Sequence, residues 1–281
     1  MVILPHRRKA FRQQPPLVSA SPFKATVNNS SSGFTLPLAN GPTYNFIVDW
    51  GDGSATDHIT TWNQAQTTHN YPTNGSYQMS ITGTMPQWFF NGGGSKDKLI
   101  SIDSWGPMLW TSFDSAFLYC SNLTSIASDG NFASVNSFAY SFWGCSSLHT
   151  FPSVSLPACT SCYGAWANCS TLTSIGAVAA PNSTSYWAAF YGCSSLTTIG
   201  AVDMSSATDI ALVFSGPNLT SLGALGIRES FSAGSSMNAA ALNTLMTNLA
   251  TVTGKTITIS SNPGYATCNT SIATGKGWTV N

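Results

Sequence analysis

The sequence predicts a mainly β protein, in which a small antiparallel β-sandwich precedes a parallel-β repeat solenoid closed by a helical and strand cap. Three observations support this prediction. A sequence repeat of about two dozen residues recurs from residue 96 onward. Charged residues make up only 7 % of the chain, against about 25 % in ordinary domains. Between residues 45 and 84, apolar and polar residues alternate around a tight glycine turn.

The repeat is defined by rows of positions that keep the same chemistry in every copy. A leucine recurs at steps of 24, 25, 24, 24 and 23 residues. We expect the aromatic rows on one face of a helical or 3₁₀ turn, and the leucine and the apolar residue after it in a short strand. The rows are Leu99, Leu123, Leu148, Leu172, Leu196 and Leu219; Ile102, Ile126, Phe151, Ile175, Ile199 and Leu222; Phe117, Phe142, Trp166, Phe190 and Phe214; and Phe113, Phe138, Cys162, Tyr186 and Ile210.

Four of the seven cysteines follow the same period, which predicts packing rather than chemistry. We expect them to point inward as small apolar residues, with Gly216 at their position in the last copy. Cys159 and Cys162 have the spacing of a zinc knuckle or a disulfide, but Cys162 falls on a repeat row, which favours inward packing. The periodic cysteines are Cys120, Cys145, Cys169 and Cys193.

The copies AFLYCSNLTSI, SFWGCSSLHTF, AWANCSTLTSI and AFYGCSSLTTI resemble the BspA-like leucine-rich repeat family over roughly residues 96–225. These repeats are similar to those of bacterial surface adhesins and of phage-encoded proteins. The resemblance implies an extended parallel-β solenoid that binds a partner rather than catalysing a reaction.

The preceding stretch lacks the repeat and carries a different double motif. WGDGS at Trp50–Ser54 is followed by His69, Tyr71, Gly75, Tyr77 and Ile81. This pattern resembles a PKD-like domain, a small immunoglobulin-like β-sandwich that serves as a spacer or binding unit. Asp49, Asp52 and Asp57 lack the spacing of an EF-hand calcium loop. The resemblance implies instead that the Asp-Gly turn is structural, with its carboxylate capping turn amides.

Five segments follow from these patterns. They are a basic docking arm (1–22), a PKD-like sandwich (23–84), a linker (85–95), the solenoid (96–230) and a C-terminal cap (231–281). We expect Trp88, Phe89 and Phe90 to pack in the joint and Gly92–Gly94 to loosen it. In the cap we expect a helix from about 236 to 250 capped by Ser235 or Ser236, a strand at Lys255–Ser260, a helical turn near Cys268–Ala273 and a last strand at Trp278–Val280.

The first two dozen residues form a basic arm. They hold half of the ten Lys and Arg residues, and no acidic residue appears before Asp49. Basic arms often contact an acidic partner, so we expect this one to dock the protein. The alternative is a solubilising tail. The predicted docking residues are Arg7, Arg8, Lys9, Phe11 and Arg12.

Tandem aromatic pairs in the repeats cannot both point inward, so one member of each is a candidate for stacking on a ligand. The candidates are Trp143, Tyr163, Trp187 and Tyr191; the alternative is that they pack between adjacent coils.

The acidic residues of the solenoid are scattered singly, and no histidine lies in a nucleophile motif. Asp203 and Asp209 flank a turn, where we expect them to cap backbone amides. We therefore expect a protein that is not an enzyme and needs no cofactor.

These observations favour a phage virion surface protein, either a capsid decoration protein or a tail component. Both resembled modules are surface modules, yet the start of the sequence lacks the order of a secretory signal, and a virion protein needs none. The arm would dock on other virion proteins, and the solenoid would contact host-surface glycans or proteins. We expect no nucleic-acid or membrane partner, because no run approaches the roughly 18 apolar residues of a membrane span. The alternatives are a bacterial cell-surface adhesin and a carbohydrate-active enzyme.

Overall fold

The computed structural model describes residues 21–29, 33–234 and 236–281, and it is mainly β with few helices. Three 3₁₀ turns lie at Ala65–Thr67, Lys96–Lys98 and Tyr265–Thr267. The strands are β1 (Phe23–Asn29), β2 (Phe34–Thr35), β3 (Asn45–Asp49), β4 (Asp57–Ile59), β5 (Thr68–His69), β6 (Gly75–Thr84), β7 (Leu99–Ser104), β8 (Ser125–Ile126), β9 (Thr150–Phe151), β10 (Val154–Ser155), β11 (Ser174–Ile175), β12 (Val178–Ala179), β13 (Thr198–Asp203), β14 (Ser221–Leu225), β15 (Phe231–Ser232), β16 (Lys255–Thr258) and β17 (Trp278–Val280); the helices are α1 (Ala239–Asn248) and α2 (Ser271–Thr274).

The N-terminal strands form a sheet that continues into the repeats. Its order is β4-β3-β6-β1-β7-β8, and β1 pairs antiparallel with both β6 and β7. Strand β7 then pairs in parallel with β8, so the hydrogen bonding changes from antiparallel to parallel at this strand. On β6, Tyr77, Met79 and Ile81 share the inner face, as their alternation predicts. One sheet therefore spans the predicted sandwich and the start of the solenoid.

From about residue 100 to 280 the chain forms a stacked parallel arrangement of about seven turns, which confirms the predicted solenoid. The short strands that follow the leucine row stack in register, with Thr150, Ser174, Thr198 and Ser221 as successive partners. A second row of strand positions stacks beside this first row. All of its members are buried, so adjacent coils cover each other's inner face. This second row consists of Val154, Val178, Val202 and Ala224.

The opposite side of each coil is a turn segment tied to the next coil by main-chain hydrogen bonds. In one coil, the N–H groups of Tyr186, Ala188 and Phe190 donate to carbonyls 23 residues further on, over 2.8, 2.8 and 3.2 Å. The N–H groups that donate belong to alternate residues, as in a strand. We call this set of bonds the turn ladder. Four consecutive coils contain it, with donors at 113–119, 138–144, 162–168 and 186–192.

The aromatic rows lie in these turn segments and not in the helical or 3₁₀ turns that the sequence predicted. Each segment contains a residue with positive φ two positions after its first row member. A left-handed residue interrupts a helix after one turn. The buried row members are therefore spaced four and then three residues apart, as in a helix, although the chain forms no helix here. The row members themselves are buried, as predicted. The left-handed residues are Ser115, Tyr140, Gly164, Ala188 and Leu212, with φ of 53°, 54°, 56°, 51° and 58°.

The four periodic cysteines are all buried, and the thiols of three of them donate hydrogen bonds that the sequence analysis did not anticipate. The Sγ atoms of Cys145, Cys169 and Cys193 lie 3.2, 3.0 and 3.0 Å from carbonyls of the preceding coil. The acceptors belong to the aromatic row. The placement of Gly216 in the cysteine row was wrong: Gly216 is exposed, and the next residue, Pro217, is buried instead.

The elements predicted for the C-terminal block are present with different ends, together with strand β15 and a 3₁₀ turn at Tyr265–Thr267 that the sequence did not predict. Helix α1 begins after Asn238, whose Oδ1 accepts from the N–H of Ala241 at 2.9 Å, so Ser236 is not the cap. Ser235, the other predicted cap, lies outside the described residues.

The strands of this block continue the parallel stacking. The predicted strand at Lys255–Ser260 forms β16, which ends at Thr258, and the predicted last strand forms β17. Strand β16 pairs in parallel with both β15 and β17. The segment predicted as a cap therefore keeps the parallel pairing in a separate three-stranded sheet and adds helices α1 and α2.

The predicted linker packs against both neighbouring modules. Trp88 and Phe90 are buried, Phe89 is half-buried, and the Trp88 ring lies 5.2 Å from that of Phe23 on β1. The N–H of Phe89 donates to the carbonyl of Pro37 at 2.7 Å, and the N–H of Phe90 to that of Ala116 at 3.1 Å. The hydrophobic core is continuous through this region, whereas the segment boundaries themselves remain predictions.

The left-handed residues of the turn ladder lead to a stability prediction. Ala188→Gly removes one methyl group but also relieves the left-handed penalty of about 1–2 kcal/mol. Ala189→Gly removes an equally buried methyl from a residue without positive φ. We expect Ala189→Gly to be the less stable variant by about 1 kcal/mol in urea unfolding. Equal losses for the two variants would contradict the assignment of backbone strain to Ala188.

Candidate functional site

Four aromatic side chains from three successive coils form a cluster on the outer side of the turn ladder. Tyr163 stacks on Trp187 with ring centroids 4.5 Å apart and planes 17° apart. The ring centroid of Tyr140 lies 5.1 Å from that of Tyr163 and 5.5 Å from that of Trp143. All four are half-buried, while the aromatic row members beside them are covered. We call Tyr140, Trp143, Tyr163 and Trp187 the aromatic strip.

The strip unites three of the four predicted stacking residues. Trp143, Tyr163 and Trp187 pack between adjacent coils and also reach the surface, so the two interpretations offered by the sequence describe the same arrangement. Tyr191 is 40 % exposed and lies apart, without a ring contact among the described residues. The sequence analysis missed Tyr140, although this residue lies in the repeat segment FAYSFWG, three residues before the predicted Trp143.

Small residues beneath the rings make room for the strip. A Cβ on Gly164 would lie 2.6 Å from Cε3 of Trp143 and 3.3 Å from Cδ1 of Tyr140. Because Gly164 is the glycine in the left-handed row, it satisfies a backbone requirement and a packing requirement at once. Tyr119 occupies a similar position one coil earlier, where a Cβ on Gly144 would lie 2.4 Å from its Cδ1.

Trp187 ends the strip and leaves one ring face without an aromatic neighbour among the described residues. The equivalent position in the next coil is Ala211, whose carbonyl accepts from Ala188. Asp209 lies beside this end: its Oδ2 accepts from Ser185 Oγ at 3.1 Å, and Ser185 Oγ accepts from the N–H of Trp187 at 3.3 Å. The free indole face offers an apolar surface, and the Asp209 carboxylate, joined through Ser185 to the main chain of Trp187, offers a hydrogen-bond acceptor at the same end of the ladder.

The other end of the strip also approaches a carboxylate. Burial raises the pKa of Tyr140, and the hydrogen bond and charge of Tyr163 and the charge of Asp114 add to this effect. The stacked pair of the strip, Tyr163 and Trp187, therefore lies at the Asp209 end, and the tilted pairs of Tyr140 lie at the end where the charge of Asp114 acts.

The scattered acids serve the local structure around them. Asp203 accepts from the N–H of Ser205 at 3.0 Å, which confirms its predicted capping role, and Asp209 lies 3.5 Å from the N–H of Ala211. Asp103 on β7 accepts from Thr26 on the adjacent strand β1 at 2.6 Å and from Gln78 on β6, the strand beyond β1, at 2.9 Å. Each of these three carboxylates therefore has a structural role.

The WGDGS turn forms a compact polar cluster after β3. Asp49 accepts from the N–H of Gly51 at 2.9 Å and Asp52 from that of Ser54 at 3.0 Å, as predicted for turn caps. Asp57 has a different partner, since its Oδ2 accepts from Trp50 Nε1 at 2.8 Å. Asp57 lies on β4, where its carboxylate faces the indole rather than a turn.

The second oxygen of Asp52 lies 2.7 Å from His69 Nε2. The imidazole of His69 also stacks on Trp50, with ring centroids 4.8 Å apart. Burial alone would raise the pKa of Asp52, but the hydrogen bonds from Ser54 and His69 outweigh it and lower the pKa to about 2. Asp52 therefore stays ionised and joins the turn to the strand that carries His69.

The predicted zinc-like pair lies inside the solenoid. Cys159 and Cys162 are free thiols, both fully buried, and Cys159 Sγ donates to the carbonyl of Ser161 at 3.2 Å. Within the described ranges, no group of three or more His, Cys, Asp or Glu side chains is arranged to hold a metal ion. No helix in that same part of the chain is both long and apolar enough to cross a membrane.

The predicted docking residues Arg7, Arg8, Lys9, Phe11 and Arg12 lie outside the described residues. No protein-family model matches this chain, and neither does any curated protein or solved structure.

The Asp52–His69 pair leads to a pH-dependent prediction. Asp52→Ala removes two hydrogen bonds to a buried carboxylate and should cost about 2 kcal/mol of unfolding free energy at pH 6. The folded-state pKa of Asp52, about 2, lies below the unfolded value of about 3.9. Its contribution is therefore present above about pH 4 and lost as the pH falls through about 2. Urea unfolding at about pH 6, 4 and 2.5 should show the gap between parent and variant shrinking at the acid end; a constant gap would contradict this.

Proposed function

We propose that the protein is a non-enzymatic surface-display protein whose solenoid binds a glycan through the aromatic strip. The observation that carries this proposal is the end of the strip at Trp187, where one indole face is not stacked on another ring of the described residues and the nearby Ser185 hydroxyl donates to the Asp209 carboxylate. Sugar rings present apolar faces and hydroxyl edges, which such a pair of groups complements.

The low charge of the body supports the same proposal. Only 7 % of residues are charged, and the coils carry hydroxyl and amide side chains that suit a neutral, hydrated ligand. We assign residues 96–230 to a BspA-like leucine-rich repeat and residues 23–84 to a PKD-like sandwich on the sequence motifs quoted above. The stacked coils and the antiparallel strands β1, β3 and β6 are compatible with those assignments.

We further propose that the protein is displayed on a phage virion, on the capsid or the tail, and that its N-terminal arm docks it to other virion proteins. The basic arm and the phage-like repeats support this location. The alternative is display on a bacterial cell surface. Mass spectrometry separates the two: the virion proposal expects a fixed copy number in purified particles, whereas the alternative expects the protein in the cell envelope.

A variant of Trp187 tests the glycan proposal. On a glycan array and then by calorimetry with the strongest glycan found, Trp187→Ala should weaken binding at least tenfold, which is about 1.4 kcal/mol. Trp62→Ala is the matched control, because Trp62 is 43 % exposed and lies in the N-terminal module. Both variants should keep a cooperative melt. Equal affinity of Trp187→Ala and the parent would refute the role of the strip.

Deletion of residues 1–16 tests the arm separately. The truncated protein should lose occupancy on purified particles at least tenfold while its glycan affinity stays unchanged. A matched control replaces Arg7, Arg8, Lys9 and Arg12 by glutamine and keeps the length of the arm, so that a loss there identifies charge as the cause. Docking at full occupancy after deletion would disprove the role proposed for the arm.

The second alternative, a carbohydrate-active enzyme, has its own test. Asp103, Asp203 and Asp209 are the acids to replace by asparagine, one at a time. Hydrolysis of a bound glycan that one of these variants abolishes would replace the binding proposal by an enzymatic one. Binding without turnover by the parent protein supports the display role.

A further inference from the structure

The turn ladder stops at one coil, where its donors have no acceptors. In each of the four preceding coils, four alternate N–H groups donate to carbonyls of the next coil. Among the described residues, none of the four equivalent N–H groups of the last coil has a hydrogen-bond partner. The carbonyl groups of the residues that alternate with these donors all accept hydrogen bonds from the preceding coil. The unpaired donors are Ile210, Leu212, Phe214 and Gly216, and the carbonyls in use are those of Ala211, Val213 and Ser215.

An open groove faces these four donors. On its other side the chain continues as β15 and the residues around it, which pair with β16 and not with the ladder. One part of the groove has a volume of about 300 Å³ and is lined by residues 210–215 and 230–232. An adjoining part of about 270 Å³ is lined by Phe214, Gly216, Pro217, Ser261 and residues 232–234. The groove is therefore as long as the row of donors.

The lining indicates the chemistry of an occupant. Among the residues that the structure describes, no charged side chain lines either part of the groove. Leu212 is 50 % exposed at its edge, and the ring of Phe214 lies 5.9 Å from that of Phe231 at its floor. A charged segment would lose its hydration here without gaining an opposite charge. The donors are spaced at every second residue, which is the spacing of carbonyls along one side of an extended chain.

We propose that the groove binds an uncharged, extended polypeptide segment of a partner protein, which completes the turn ladder by accepting hydrogen bonds from its four unpaired donors. This is strand addition to an open edge, for which the chain itself provides the template. The segment at 209–215 already accepts hydrogen bonds from the coil before it in this way. The occupant must offer carbonyls at alternate positions and small or apolar side chains toward Phe214 and Phe231.

Amide exchange with a template peptide tests the proposal. The probe is a synthetic peptide with the sequence of Thr184–Gly192, TSYWAAFYG, which copies an uncharged turn segment of the ladder. In the free full-length protein, the three amides at 210, 212 and 214 should exchange much faster than those at 186, 188 and 190. The peptide should slow the first set at least tenfold and leave the second unchanged, whereas a peptide of scrambled order should not.

A variant that fills the groove gives the second measurement. Ser232 is exposed and lines both parts of the groove, so Ser232→Trp should weaken peptide binding at least tenfold. Ser194→Trp, at an exposed position of another coil, is the control and should bind like the parent. Slow exchange of the three amides in the free protein, or equal protection by the scrambled peptide, overturns the proposal. Protection that rises with protein concentration alone also overturns it, because a second copy would then be the occupant.

Discussion

Main-chain hydrogen bonds between successive turn segments are the constraint on which the rest of the structure depends. Because alternate N–H groups of four consecutive coils donate to the carbonyls of the next, the coils between residues 113 and 215 are held at strand spacing and in one register. That register places aromatic over aromatic, as where Phe117 stacks on Phe142. The same register brings Tyr163 and Trp187 face to face at the surface.

The ladder also explains why bulky residues occupy left-handed positions. A left-handed Tyr140 costs energy in an isolated turn, but two flanking coils hold its backbone in place. Glycine is needed only where a side chain from a neighbouring coil lies across the position, as Trp143 lies across Gly164. The stacking of the coils therefore decides both which residue type occupies a left-handed position and which side chain from the neighbouring coil covers it.

Much of the solenoid could be predicted from the sequence, because a repeat of about 24 residues with buried rows has few ways to cover its inner face. The rows of leucines, aromatics and cysteines are buried as expected. The turns were mistaken for helical turns, since a spacing of four and three residues looks the same until φ is known at positions such as Ala188. The aromatic strip was recognised in part: Tyr140 was missed because its row holds a different residue type in every coil. Gly216 was misplaced because one residue is deleted between Phe214 and Leu219, and periodicity alone does not locate a gap.

The buried thiol row has a chemical consequence for the whole molecule. Burial raises the pKa of Cys120, Cys145 and Cys169, and six of the seven cysteines are fully covered. Cys268 alone is partly accessible, on the segment between the last 3₁₀ turn and α2. An alkylating reagent applied to the folded chain therefore modifies one site near the C-terminus, and the rate at which the remaining six become reactive reports how often neighbouring coils separate.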